Sequence, residues 1–128
     1  MNLKFKKALV TGGAGFIGSH LVDALVSMGC DVTVLDNLST GNLLNLEHIK
    51  NRITFYKGDI RDQEILVKAS KDSDIIFHQA AVVSVHRTVE DPVDSAMVND
   101  MGTLFVLEAA RKNNVKRVVF ASSCAVYG

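Results

Sequence analysis

The sequence predicts an α/β fold, a doubly wound parallel sheet with helices on both faces, and three observations carry that expectation. Five short runs rich in β-branched residues alternate with stretches whose apolar spacing is helical. The centres of those runs, among them Ala8-Leu9-Val10, Ile75-Ile76-Phe77 and Val118-Val119-Phe120-Ala121, are continuously apolar, as strands read when both faces are covered. The chain has 128 residues, 48% of them apolar, enough for one domain whose core needs neither disulfide nor metal.

Taken in order, strands are expected at residues 7–11, 31–36, 53–57, 74–78 and 116–122. A first helix follows the glycine-rich run after the first strand; Ile17, Leu21, Ala24, Leu25 and Met28 form its apolar stripe, and Gly29 stops it. Asp62 is placed to cap a second helix that turns Ile65, Leu66 and Ala69 inward. A third runs from about residue 95 to 113, after the only proline, Pro92, with Val98, Met101, Phe105 and Ala109 on one stripe. Met97, Leu104 and Leu107 lie off that stripe, a second apolar surface that needs cover from a later part of the chain or another subunit. Residues 37–50 are the least regular. Right-handed crossovers between such strands give the expected order 3-2-1-4-5, with ligands beyond the carboxyl ends of the strands.

Fourteen basic and fourteen acidic side chains give a formal net charge of zero, which leaves no electrostatic footprint for nucleic acid or a membrane surface. The opening MNLKFKK runs into a glycine-rich segment unlike a signal peptide, and no window approaches the roughly eighteen apolar residues of a membrane span. A soluble, cytoplasmic protein is expected. Cys30 and Cys124 lie far apart, without metal-ligand or redox spacing, and read as reduced thiols. There is no repeat, low-complexity tract or internal linker.

The chemistry is concentrated after the first strand. Gly12-Gly13-Ala14-Gly15-Phe16-Ile17-Gly18 satisfies G-x-G-x-x-G and opens directly into the first helix. Gly12 permits the tight turn, Gly15 lets backbone approach a pyrophosphate, and Gly18 allows close helix packing; the amides and positive end of the helix then face the phosphates. Eighteen residues beyond Gly18, at the end of the second strand, stands Asp36, whose carboxylate can accept from both hydroxyls of an adenosine ribose and repels a 2′-phosphate. The first arginine after it is Arg52, so NAD is favoured over NADP. Read alone, the loop could be an ordinary strand-turn-helix connection; strand, helix and acid in register argue for a dinucleotide.

With these residues on the page, the whole chain resembles the extended short-chain dehydrogenase/reductase family and, within it, the nucleotide-sugar epimerases and dehydratases. The likeness rests on TGGAGFIGSHL at 11–21, LDNLSTG at 35–41, GDIRD at 58–62, HQAAVVSV at 78–85, NDMGT from Asn99, and SSCAVYG at 122–128. HQAA with Ser84 and SSCAVYG look more like the UDP-hexose 4-epimerase branch than like the acidic STDEVYG form of dehydratases. The resemblance implies a Rossmann-like NAD-binding domain over residues 1–128. It places Gly12, Gly15, Phe16, Ile17 and Gly18 at the pyrophosphate, Asp36, Asn37 and Leu38 around the adenosine ribose, and Asp59 and Ile60 at the adenine. Asp59 could alternatively cap a turn. Ala80 and Ala81 match small residues whose backbone passes along the cofactor, and Asn99 a helix residue near the nicotinamide. Val83 stands where many of these epimerases have a lysine.

For the substrate, the resemblance implies contacts from Ser84, Val85 and Ser123, with Ser123 as the catalytic hydroxyl that donates to and accepts from a sugar oxygen. A small serine ending a strand is the plainer reading of Ser123. His78 reads as a packed, hydrogen-bonded histidine, His86 and Arg87 as solvated, and Cys124 as a small packed residue. The family's deprotonating tyrosine, with a lysine four residues later, has no match: Tyr56 is followed by Ile60, and Tyr127 by one residue. The expectation is therefore the amino-terminal part of a longer enzyme, one that binds NAD but is inactive alone. The full-length parent, expected as a homodimer, would epimerise a UDP-hexose at C4 through a transient 4-keto sugar. Rival readings are a 4,6-dehydratase or decarboxylase of the same family, and a non-catalytic NAD-binding module.

Overall fold

The structure, a computed structural model, describes residues 4–81 and 89–122. Its strands are β1 Lys7–Thr11, β2 Asp31–Asp36, β3 Ile53–Lys57, β4 Ile75–His78 and β5 Arg117–Phe120. Every pairing is parallel and the order is β3-β2-β1-β4-β5, as the alternation of elements predicts. The chain adds strands outward from β1 to β3 and then returns to the other side of β1 with β4. The crevice that this reversal opens lies at the carboxyl ends of β1 and β4, where Thr11 pairs with His78.

Period-two alternation explains why the strand centres are apolar throughout. Ala8, Val10, Val32, Val34 and Ile75 enter one core, while Leu9, Leu35 and Ile76 enter the other. The first core is closed by α1, Phe16–Ser27, and by a run of 3₁₀ turns at Leu43–Arg52. The second is closed by α2, Gln63–Ala69, and by the last helix. The outer strands β3 and β5 keep partly exposed residues, so full cover on both faces holds only for β1, β2 and β4. β4 starts one residue later than expected and β5 is shorter at both ends; the Asp74 carboxylate instead accepts from the Lys6 and Lys7 amides at 2.8 and 3.0 Å.

The α1 stripe is rotated from the sequence reading. Gly18 and Ser19 face inward because the helix begins against the glycine turn, and the helical repeat then buries Val22, Leu25 and Val26. Ile17 is left 69% exposed, and Ala24 and Met28 also face out. In residues 37–50 the irregular composition conceals a regular device. The Asn42 side chain accepts from the Leu44 amide, and the three-residue repeat of the 3₁₀ turns then buries Leu46 and Ile49 together. Asp62 caps α2 as expected, accepting from the Glu64 and Ile65 amides; Leu66 and Ala69 are buried and Ile65 packs at the edge of the core.

The third helix is one rod in three parts: α3 Pro92–Ala96, a wide π turn Met97–Met101, and α4 Gly102–Lys112, with helical backbone angles at both joints. Asp91 caps its start by accepting from the Asp94 amide at 3.0 Å. The π turn holds one extra residue, which rotates the face that follows it. Gly102, Val106, Ala109 and Ala110 therefore meet the core, and Met101, expected inward, is 37% exposed. Val98, Phe105 and Ala109 do pack against the second core, whereas Met97, Leu104 and Leu107 are exposed, as the off-stripe reading anticipates.

Candidate functional site

The turn after β1 is held from both sides by backbone. The Gly12 amide donates to the Leu35 carbonyl at 2.8 Å and the Gly15 amide donates to the Gly12 carbonyl at 3.2 Å. Gly12 adopts φ +71°, and a Cβ there would stand 2.8 Å from the Ala80 nitrogen. At Gly18 a Cβ would come within 2.1 Å of the Gly12 carbonyl oxygen, so the helix packs on the turn itself rather than on the strand. Gly15 is different: among the described residues the only atom near its would-be Cβ is the Gly12 oxygen at 3.4 Å, which leaves its outer side open to them. Gly15 also caps α1 without a side chain, so the first-turn amides at Phe16 and Ile17 have neither an intrahelical acceptor nor a side-chain cap. The side chains of Phe16 and Ile17 are exposed beside them.

Asp36 closes the other wall. Only 8% exposed, it accepts from the Ala14 amide through Oδ2 at 2.9 Å and from the Leu38 amide through Oδ1 at 2.8 Å. Among the described residues each oxygen has one donor, which leaves a second lone pair on each to receive a further donor. Leu38 pays for its amide's position with φ +62°, and the Asn42 amide together with the Asn45 side chain pins the loop to the Ala14 carbonyl.

Beyond β3, Asp59 and Arg61 form a fork. The Arg61 guanidinium donates to Asp59 Oδ1 from Nε at 3.0 Å and to Oδ2 from a terminal nitrogen at 2.6 Å. Its other terminal nitrogen reaches Asp94 of α3 at 2.7 Å. The Arg61 hydrogen bonds hold the Asp59 carboxyl below the usual carboxylate range, a shift that burial partly opposes. The Ile60 side chain is buried against Gly102, so what Ile60 offers a ligand is backbone.

Under the crevice runs a chain of side chains that sequence reasoning missed. Thr103 donates its hydroxyl proton to the Asn99 carbonyl at 2.6 Å, so it can only accept from His78 Nε2 at 3.0 Å. His78 Nδ1 is then unprotonated and accepts from the Thr11 hydroxyl at 2.7 Å. The Thr11 oxygen in turn receives the Gln79 and Ala80 amides at 3.1 and 3.2 Å. Burial pushes the His78 pKa down to about 4, which fixes a neutral imidazole. The packed histidine read from the sequence is what the structure shows; the signal for its partners would have been two threonines, too common to single out. Cys30 is buried, and burial raises its thiol pKa, which makes it inert packing.

Residues 8–128 match the NAD dependent epimerase/dehydratase family. The chain belongs to that family. It is 46% identical over 126 residues to the UDP-glucose 4-epimerase of Mycolicibacterium smegmatis, a match covering 95% of this chain and 40% of the relative. It is 39% identical over 123 residues to the UDP-N-acetyl-alpha-D-glucosaminuronate decarboxylase of Bacillus cytotoxicus, over 96% of this chain and 38% of the relative. Among solved structures, the Thermus thermophilus UDP-glucose 4-epimerase complex with NAD superposes with a TM-score of 0.84 at 45% identity, over 91% of this chain and 37% of that one. The chain thus spans about two fifths of the length of the relatives it matches.

As an epimerase/dehydratase family member the chain takes NAD, and the residues present fit that group: an open Gly15 face, uncapped helix amides and a carboxylate with free lone pairs converge on one crevice. Gly12, Gly15, Gly18, Asp36, Asn37 and Leu38 lie on its β1–β2 side, Asp59 and Ile60 beyond β3, and Ala80 and Ala81 after β4. Asn99 sits in the π turn, where its carbonyl holds Thr103. Val83, Ser84, Val85, His86, Arg87, Ser123 and Cys124 lie outside the described residues. Among those that are described, no group of three metal-ligating side chains occurs, and no helix is long and apolar enough to cross a membrane.

Proposed function

We propose that residues 1–128 form the NAD-binding domain of a UDP-sugar 4-epimerase, and that the domain by itself binds NAD without turning over a sugar. The observation that carries the reading is Asp36, buried at the end of β2 with one lone pair free on each oxygen, facing a helix start that no side chain caps. That pairing suits a ribose diol next to a diphosphate and rejects a 2′-phosphate. When bound, NAD supplies a reversible hydride acceptor, which lets C4 of a sugar be oxidised and reduced again with no net redox change.

The chain's own residues divide the remaining work. Gly12, Gly15 and Gly18, with the amides of Phe16 and Ile17, hold the diphosphate; Asp36, Asn37 and Leu38 hold the ribose; Asp59 and the Ile60 backbone meet the base. Ala80 and Ala81 border the cofactor, Asn99 stands toward the nicotinamide, and Ser84, Val85 and Ser123 meet a nucleotide sugar, with the Ser123 hydroxyl handling the C4 oxygen. The parent enzyme works as a cytoplasmic homodimer. The likeness to a decarboxylase supports a second reading, in which a UDP-uronic acid is the substrate.

Incubating the full-length parent with UDP-galactose, and separately with a UDP-uronic acid, separates the two: interconversion to UDP-glucose supports the epimerase, and carbon dioxide release supports the decarboxylase. In the parent, Ser123→Ala should retain bound NAD and lose about a hundredfold or more in kcat. Unchanged turnover would reject the role given to Ser123.

A further inference from the structure

Helix α1 opens without a side-chain cap, so its first amides must be aimed by something other than the residue that precedes them. That residue is Gly15, with φ −76° and ψ 177°. A serine or aspartate there would fix the helix start by accepting from its first-turn amides, and would consume the donors that an anion needs. The peptide plane between Ala14 and Gly15 is instead held at its two ends by backbone and loop. Its N–H end donates to the Gly12 carbonyl at 3.2 Å, the long end of the range, and the missing Cβ of Gly15 leaves that end free to turn. Its carbonyl end is held by the loop after β2: the Ala14 oxygen receives the Asn42 amide at 3.0 Å and Asn45 Nδ2 at 2.9 Å. The 3₁₀ turn delivers Asn45 to that place. The Asn42 side chain accepts from the Leu44 amide at 2.9 Å and the Asn42 carbonyl from the Asn45 amide at 3.0 Å, so Asn45 stands one three-residue turn past Asn42, on the same side. Gly41 sets the separation, since a Cβ there would lie 3.0 Å from the Ala14 carbonyl carbon and 3.1 Å from its Cβ.

We propose that Asn45 is a positioning residue for the diphosphate: by holding the Ala14 carbonyl against the loop after β2 it fixes the Ala14–Gly15 peptide, and with it the direction of the Phe16 and Ile17 amides. The proposal rests on the NAD reading given above. Asn45 acts through the backbone and does not itself meet the ligand. It is an exposed residue, so water takes the place of its side chain when that is removed. Such a water satisfies the Ala14 oxygen but does not tie it to the loop, so the loss falls on the aim of the turn and little on the stability of the fold. The ribose acceptor is held separately: Asp36 Oδ2 receives the Ala14 amide at 2.9 Å, a bond that belongs to the preceding peptide plane and survives the loss of Asn45.

Amide hydrogen exchange followed by NMR, and titration with NAD and with adenosine, test this on the chain itself. In Asn45→Ala the Gly15 amide should exchange about tenfold faster than in the wild type, while the amides of Val10 in β1 and Val34 in β2 change by less than about twofold. The Kd for NAD should rise about fivefold, as the loss of one hydrogen bond warrants, while the Kd for adenosine, which carries no phosphate, stays within about twofold. Asn45→Asp keeps the shape, removes the donor, and should show the same faster exchange at Gly15. A merely structural role would speed exchange at Gly15, Val10 and Val34 together and weaken both ligands alike. That pattern, an unchanged Gly15 amide, or an NAD affinity in Asn45→Ala equal to that of the wild type overturns the proposal and leaves the cofactor reading standing. Failure of the wild-type chain to bind NAD overturns the cofactor reading and this proposal with it.

Discussion

Acidification should destabilise this fold through one buried histidine, in a pH range that the carboxylates do not share. His78 is 3% exposed, its ring lies 6.2 Å from that of Phe120 in a stacked arrangement, and its pKa falls from 6.5 to about 4 on folding because burial penalises the charged ring. Between those two values the unfolded chain holds a proton that the folded chain does not. Stability therefore rises with pH across this window, is complete above about pH 6.5, and is lost as pH falls toward 4. At about 1.4 kcal/mol per pH unit, the interval amounts to about 3 kcal/mol. The hydrogen-bond chain gives the same sign: a proton on Nδ1 would turn it from acceptor to donor and set it against the Thr11 hydroxyl, whose oxygen already receives two amides. Asp59, Asp74 and Glu108 have lowered pKa values and so give up stability only as pH falls below their ordinary values, 3.8 for the aspartates and 4.5 for the glutamate. Urea denaturation from pH 4.5 to 7.5, followed by far-ultraviolet circular dichroism, should show the loss in the wild-type chain. His78→Gln should be less stable at pH 7 and nearly flat below it. A wild-type stability that does not change across the window, or an equal slope in His78→Gln, would refute the neutral, buried assignment.

Other perturbations follow from single contacts. Gly18→Ala places a Cβ within 2.1 Å of the Gly12 carbonyl oxygen, a backbone atom that cannot rotate away, so the variant should lose about 3 kcal/mol of stability in denaturant melts together with dinucleotide binding. Asn113→Ala removes donors to the Val67 carbonyl at 2.9 Å and the Ser70 hydroxyl at 2.8 Å, the clasp between α2 and α4, and should cost about 1–3 kcal/mol in the same melts with the NAD affinity unchanged.

What the sequence made legible follows from where its signals are local. Strand positions were readable because both faces of the central strands β1, β2 and β4 are covered, so their middles are largely apolar and bounded by polar or charged residues or glycine, and three of five strands match residue for residue. The helix faces were harder to read. In α1 the apolar residues are spread around the helix, and contact between Gly18 and the Gly12 carbonyl, a tertiary fact, decided which of them turned inward. The π turn at Met97–Met101 shifted the following face by one residue, and no local propensity marks such a turn. In the site, the glycine turn and Asp36 were visible because their spacing is short and their residue types have few substitutes. The Thr11-His78-Thr103 chain and the Arg61 fork were not, since each joins residues that the fold, not the spacing, brings together.

The central claim is that Asp36 and the amide-lined turn receive the ribose and diphosphate of NAD. Titrating the 128-residue chain in parallel with NAD and NADP tests it most directly. The account predicts at least about a tenfold preference for NAD, about 1.4 kcal/mol, and its disappearance in Asp36→Asn. Equal affinities for the two dinucleotides in the wild-type chain would contradict it.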